Sequence, residues 1–95
     1  MKLTNSDNGI FSFYCPGCKH HHCYWTKLLR PGQPVWNFNG DLENPTFSPS
    51  LLNAKDDPER RCHLFIKNGK IEYCSDCHHE LAGKTIDMED IDATN

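Results

Sequence analysis

Residues 14–25 read "YCPGCKHHHCYW", which packs three thiols and three imidazoles into one short stretch. These are borderline-soft ligands, and the chemistry they suggest is zinc binding. Zn²⁺ takes four ligands in a tetrahedron, from Cys thiolates and His nitrogens. Cys15 and Cys18, separated by Pro16-Gly17, form one half of such a site. Pro fixes one φ, and Gly lets backbone N–H groups approach sulfur, so both thiols point into one concavity. The second half lies downstream in "CHLFIKNGKIEYCSDCHH", residues 62–79. By spacing alone, Cys74 and Cys77 complete a C-x₂-C…C-x₂-C ribbon. Cys62, His63 and His79 compete for the same places. In the histidine run only His20 and His22 share a strand face with Cys18, and His22 is the one to test. Cys23, on a strand with Trp25, is expected to be a buried structural thiol.

These residues need short strands to carry them. Residues 11–14 and 22–29 read as two strands joined by the CPGC turn. "RPGQP" (30–34) is a loop, and Asn39-Gly40 within 35–42 suggests a small hairpin. Residues 43–52 contain Pro45 and Pro49, which fit an edge strand or an extended loop. The clearest element is a hairpin turning on Asn68-Gly69. It pairs Lys67 with Lys70, Ile66 with Ile71, and Leu64 with Tyr73. One face then carries Cys62, Leu64, Ile66, Ile71, Tyr73 and Cys77, and should be the core. The other carries His63, Phe65, Lys67, Lys70, Glu72, Cys74 and Asp76. A helical turn around "HELAG", stopped by Gly83, and a strand over "KTIDM" complete the expectation. The predicted fold class is α+β: a zinc-stapled domain of short antiparallel β-hairpins, ribbon- or knuckle-like, with little helix.

A chain of 95 residues, 37% apolar, fits one domain with a thin core and a need for a staple. The expected core runs over about residues 10–88, with an acidic tail at 89–95. No segment reads as a signal peptide, and none approaches the roughly 20 apolar residues of a membrane span. Clustered Cys and His then favour metal over disulfides, and a bacterial cytosolic location. Net charge is −3. Residues 1–40 carry Lys2, Lys19, Lys27 and Arg30 against Asp7 alone, and the acidic excess lies beyond. This is not the basic footprint of a duplex-binding protein.

Four motifs in order carry a family resemblance: "FYCPGCKHHH", "WNFNGDLENPTFSPS", "CHLFIKNGKIEY" and "DCHHELAGKTID". They are similar to a small domain family of tailed phages and bacteria without an assigned function, some of whose members are labelled ammonia monooxygenase. The resemblance covers about residues 13–88. It implies a phage-encoded metal-binding protein and singles out Cys15, Cys18, His22, Cys62, His63, Asp76, His79 and Gly83. It does not call for cysteine at 74, and 77 varies. The resulting order of expected ligands to one Zn²⁺ is Cys15 and Cys18, then Cys62 and His79, then Cys77 and Cys74.

Three functional expectations follow. The leading one is a non-enzymatic accessory protein whose structural zinc supports a surface for a host protein. The second is a zinc-dependent hydrolase using His63, Asp76 and His79. The third is single-stranded nucleic-acid binding by Tyr14, Tyr24, Trp25, Trp36 and Phe38 beside Lys19, Lys27 and Arg30. Aromatic residues in a small β domain are more often core, which disfavours the third.

Overall fold

A computed structural model of the chain describes residues 1–5 and 8–90. Eight strands run in chain order: β1 (Thr4–Asn5), β2 (Ile10–Cys15), β3 (His20–Trp25), β4 (Asn37–Phe38), β5 (Phe47–Asn53), β6 (Cys62–Lys67), β7 (Lys70–Tyr73) and β8 (Thr85–Asp87). They form two sheets, β1-β2-β3 and β4-β5-β6-β7-β8, with every pairing antiparallel. The expected α+β class is therefore corrected to all-β. The described residues contain no helix, and "HELAG" forms only turns and bends. The apolar stretch there is too short to sustain a helix, and Gly83 ends it in the left-handed region at φ 76°. Residues 91–95 of the expected acidic tail lie outside the described residues.

The β6–β7 hairpin has the register expected from its turn. Lys67 pairs with Lys70, Ile66 with Ile71, and Leu64 with Tyr73. Asn68 and Gly69 have φ values of 49° and 77°, as the two central residues of a type I′ turn require. Cys62, Leu64, Ile66, Ile71 and Tyr73 are buried on one face, and Cys77 packs against that cluster half-buried.

The two sheets meet through aromatic rings. Tyr24 of β3 lies on Phe47 of β5, with centroids 4.0 Å apart and planes 3° from parallel. Phe11 of β2 meets Phe38 of β4 with centroids 4.6 Å apart, and Phe38 in turn stacks on its sheet neighbour Phe47. Pairs of this kind add about 0.5–1.5 kcal/mol beyond the area they bury.

β5 departs from a regular strand at the prolines. β4 borders it only at Phe47 and Ser48, so the expected two-residue hairpin at Asn39-Gly40 is instead a longer connection. Asn39 and Asp41 side chains hold that connection through backbone N–H groups of Asp41, Glu43, Asn44 and Thr46. The β5–β6 register shifts between Phe47 and Leu51. Pro49, with no N–H to give, sits in that irregularity. Such a bulge turns the strand and re-aims the side chains beside it.

Candidate active site and metal centre

β6 alternates two chemistries along its length. Cys62 faces the core, and His63 faces the other way. Across the ladder His63 pairs with Leu52, so Ser50, two residues before Leu52, lies on the same face of the sheet. Ser50 Oγ is 3.0 Å from His63 Nε2. On the other side of the imidazole, Asp76 Oδ1 is 3.4 Å from His63 Nδ1. Asp76 gets there by the turn after β7, where the Cys74 N–H donates to the His63 carbonyl at 2.9 Å and the Cys77 N–H to the Cys74 carbonyl at 3.3 Å. A hydroxyl, an imidazole and a carboxylate thus stand in line. The carboxylate faces one ring nitrogen and the hydroxyl the other, the order of a nucleophile, a base and the group that orients it.

Backbone clamps hold both ends of this line. The Trp36 indole N–H donates to the Ser50 carbonyl at 3.1 Å. The His63 N–H donates to Cys77 Sγ at 3.3 Å, and the Cys77 thiol lies 3.1 Å from the His63 carbonyl and donates to it. Burial pushes the Cys77 thiol pKa up, which keeps that proton in place.

On the core side of β6 lies a second cluster. Donor atoms of Cys15, Cys18, His22 and Cys62 all fall within 4.8 Å of one another. Cys15 ends β2, Cys18 lies in the following turn, His22 is on β3 and Cys62 starts β6. Zinc bonds of about 2.0–2.3 Å in a tetrahedron need donor separations inside that limit. The Cys18 N–H reaches Cys15 Sγ at 3.4 Å, which closes the knuckle. Tyr73 Oη lies 3.0 Å from the same sulfur. The Cys62 thiol hydrogen bond, helped by the Tyr73 hydroxyl, lowers the Cys15 pKa to about 3 against the effect of burial. Cys62 is driven strongly upward as the donor in that bond, and Cys18 rises to about 11, first through burial and then through the Cys15 charge.

His22 is the residue in this cluster that points to a metal. Its Nε2 is buried without a hydrogen-bond partner, a cost that a bound cation would remove. Its Nδ1 lies 2.8 Å from the Asn53 side-chain nitrogen, an NH₂ group that donates to it and leaves the ring proton on Nε2. A ligating Nε2 requires the Asn53 amide turned over, with Oδ1 accepting from Nδ1–H, an exchange of O and N that fits the same place. The three thiols and this imidazole fit a Cys₃His zinc site.

The other expected ligands form further groups around the same knuckle and hairpin. His79 lies over the knuckle, where a Cβ on Gly17 would meet its ring at 2.3 Å, so any larger residue there would displace the imidazole. The Leu81 N–H donates to His79 Nδ1 at 3.3 Å, which puts the ring proton on Nε2, 3.5 Å from Cys62 Sγ. In this tautomer His79 donates to the cluster. His79 also groups with Cys62 and Cys77, and with Cys18 and His78. Cys74 groups with His63 and Asp76. His63 and Asp76 thus face Ser50, whereas His79 belongs with the thiols. Cys23 is exposed, contrary to the expected buried thiol.

Ser50 is the functional candidate that the sequence reading missed. It lies inside "PTFSPS", but only the pairing of β5 with β6 shows its relation to His63.

The described residues thus place a thiol-rich knuckle and a Ser50–His63–Asp76 arrangement on the two faces of β6 in an all-β fold. The chain belongs to the family described as "Bacterial ubiquitination-like system serine protease (BubE)", which matches residues 1–74. That span contains Ser50, His63 and the four-residue metal cluster, and ends two residues before Asp76. No curated protein and no solved structure matches the chain. Among the described residues, no helix is long and apolar enough to cross a membrane.

Proposed function

We propose that this chain is a serine peptidase of a bacterial ubiquitination-like system, with Ser50 as nucleophile, His63 as general base and Asp76 as its orienting carboxylate. The observation that carries this reading is the Ser50–His63–Asp76 line, with separations of 3.0 Å and 3.4 Å. The family description independently names the reaction type. His63 Nε2 takes the Ser50 proton as Oγ attacks a carbonyl carbon, then hands that proton to the departing amine. A water molecule, deprotonated by the same Nε2, releases the acyl group. Asp76 stays ionised and stabilises the imidazolium that forms between these steps.

Cys15, Cys18, His22 and Cys62 would hold one zinc ion, whose contribution is to tie the β2–β3 hairpin to β6. All four positions are taken by protein groups, as in closed structural sites, so the hydrolytic chemistry belongs to Ser50 and its partners. This favours a peptidase with a structural metal over a hydrolase using a metal-bound water at His63, Asp76 and His79.

The test is active-site labelling with a fluorophosphonate probe, followed by peptide mapping. The wild-type protein is expected to carry the label on Ser50, and Ser50→Ala to lose both labelling and peptide cleavage, the latter by at least about 10³-fold. Label on another residue, or cleavage unchanged in Ser50→Ala, overturns the assignment.

A further inference from the structure

The cavity beside Ser50 has a volume of about 610 Å³, within the range of sites that enclose a ligand segment. It lies where the two sheets separate. Leu51, Leu52 and Asn53 of β5 form one wall, and Trp25 and Trp36 form the other with the loop 30–34. Ser50 immediately precedes these wall residues in sequence and is not itself among the lining residues. The indole that lines the cavity is also the one that holds the Ser50 carbonyl.

Three features define what this groove accepts. First, β4 stops pairing with β5 at Ser48, so among the described residues no strand pairs with Leu51–Asn53 on the side away from β6. An extended segment can add to such an edge through main-chain hydrogen bonds. Second, Trp25, Trp36, Leu51 and Leu52 give the cavity an apolar part among polar lining residues that include His21, His22 and Asn53, and Leu28, Leu29 and Val35 are exposed in the chain around the loop. Third, no carboxylate lines the cavity, whereas Arg30 does, with its guanidinium 5.4 Å from the Trp25 ring centroid. The loop that presents Arg30 is preformed. Gln33 accepts from the Leu29 N–H at 2.9 Å and donates to the Lys27 carbonyl at 2.6 Å, and the Trp36 N–H donates to the Trp25 carbonyl at 2.8 Å.

We infer that this groove is the substrate-binding cleft, and that it takes an extended peptide segment carrying a bulky apolar side chain against Trp25, Trp36 and Leu52 and an acidic side chain against Arg30. The inference rests on the serine-peptidase reading for the position of the scissile bond, at Ser50. It goes beyond that reading by naming the residues that select the substrate and the chemistry they select.

The chain's two tryptophans are both in the cleft, so intrinsic fluorescence reports its occupancy. The probes are glycine/serine octapeptides carrying one leucine and one aspartate, with matched peptides in which serine replaces leucine or lysine replaces aspartate. Titrated into Ser50→Ala, the leucine–aspartate peptides are expected to shift the fluorescence and bind at least tenfold more tightly than either control. Arg30→Glu, a change at an exposed position, is expected to reverse the charge preference toward the lysine peptides. In the Ser50-intact chain the same change should raise KM for the aspartate peptides at least tenfold. Labelling of Ser50 together with indifference to leucine, aspartate and Arg30→Glu overturns the cleft assignment and leaves the peptidase reading standing. Absence of labelling in the wild type, with the peptide preferences intact in Ser50→Ala, overturns the peptidase reading and supports the cleft.

Discussion

Asp76 and His63 illustrate how little at the residue scale separates a turn from a reactive group. Asp76 is 44% exposed at its side chain and sits in a turn that many polar residues could make. What distinguishes it is the 3.4 Å approach to His63 Nδ1. An amide in its place can present the wrong group to Nδ1 and stabilise the wrong tautomer. Asp76→Asn is therefore expected to lower kcat by about 10³–10⁴-fold, with KM little changed and the circular dichroism spectrum intact. Steady-state kinetics on a peptide substrate checks this, and a change confined to KM contradicts it. At this scale the sequence was legible for Cys15 and Cys18, because two thiols on a Pro-Gly turn need no distant partner to be recognised. It was not legible for Ser50, whose hydroxyl is one of many until β5 is placed beside β6. Nor did it choose between His22 and His79. Their roles depend on which ring nitrogen meets Asn53 and which meets the Leu81 N–H.

Among the elements, β6 is the most constrained. Its inward residues Cys62, Leu64 and Ile66 are completely buried, while its outward face holds His63. The hairpin it forms with β7 was readable in full because an Asn-Gly turn sets the register locally and alternation then assigns every side chain to a face. β5 was readable only as an extended segment. Its role depends on a register shift at Pro49 that no local rule specifies. The "HELAG" turn was misassigned as helical for a related reason. Its backbone is fixed by contacts with other segments, such as the Gly83 N–H donating to the Tyr73 carbonyl at 3.1 Å. Leu64→Ala removes a fully buried side chain from the middle of β6 and is expected to cost about 2–5 kcal/mol. Denaturant unfolding of the metal-loaded protein measures this, and a loss below about 1 kcal/mol would mean that β6 does not anchor the core.

For the whole molecule, the thiol–imidazole cluster joins two sheets that otherwise meet mainly through ring stacking. Among the described residues the buried core has twelve side chains, Cys15 and Cys62 of the cluster included, which is small for two sheets. Metal binding and folding are therefore expected to be one event. Removing zinc with a strong chelator should abolish the cooperative thermal transition and peptidase activity together, and adding zinc back should restore both. Acid should have the same effect as chelator, because thiolates and neutral imidazole bind the ion and protons compete for both. Parallel measurements of metal content, melting and turnover decide this. A chelated protein that keeps its transition would show that the ion is dispensable for the fold.

The adjacency of Cys62 and His63 has a further consequence for fidelity. Strand faces alternate residue by residue, so a slip of β6 by one position exchanges the two: the thiol turns to solvent and the imidazole turns into the core. A slipped chain completes neither the four-ligand cluster nor the line to Ser50. The cluster thus acts as an error check on strand alignment, since a chain able to close it has necessarily placed its base on the outer face.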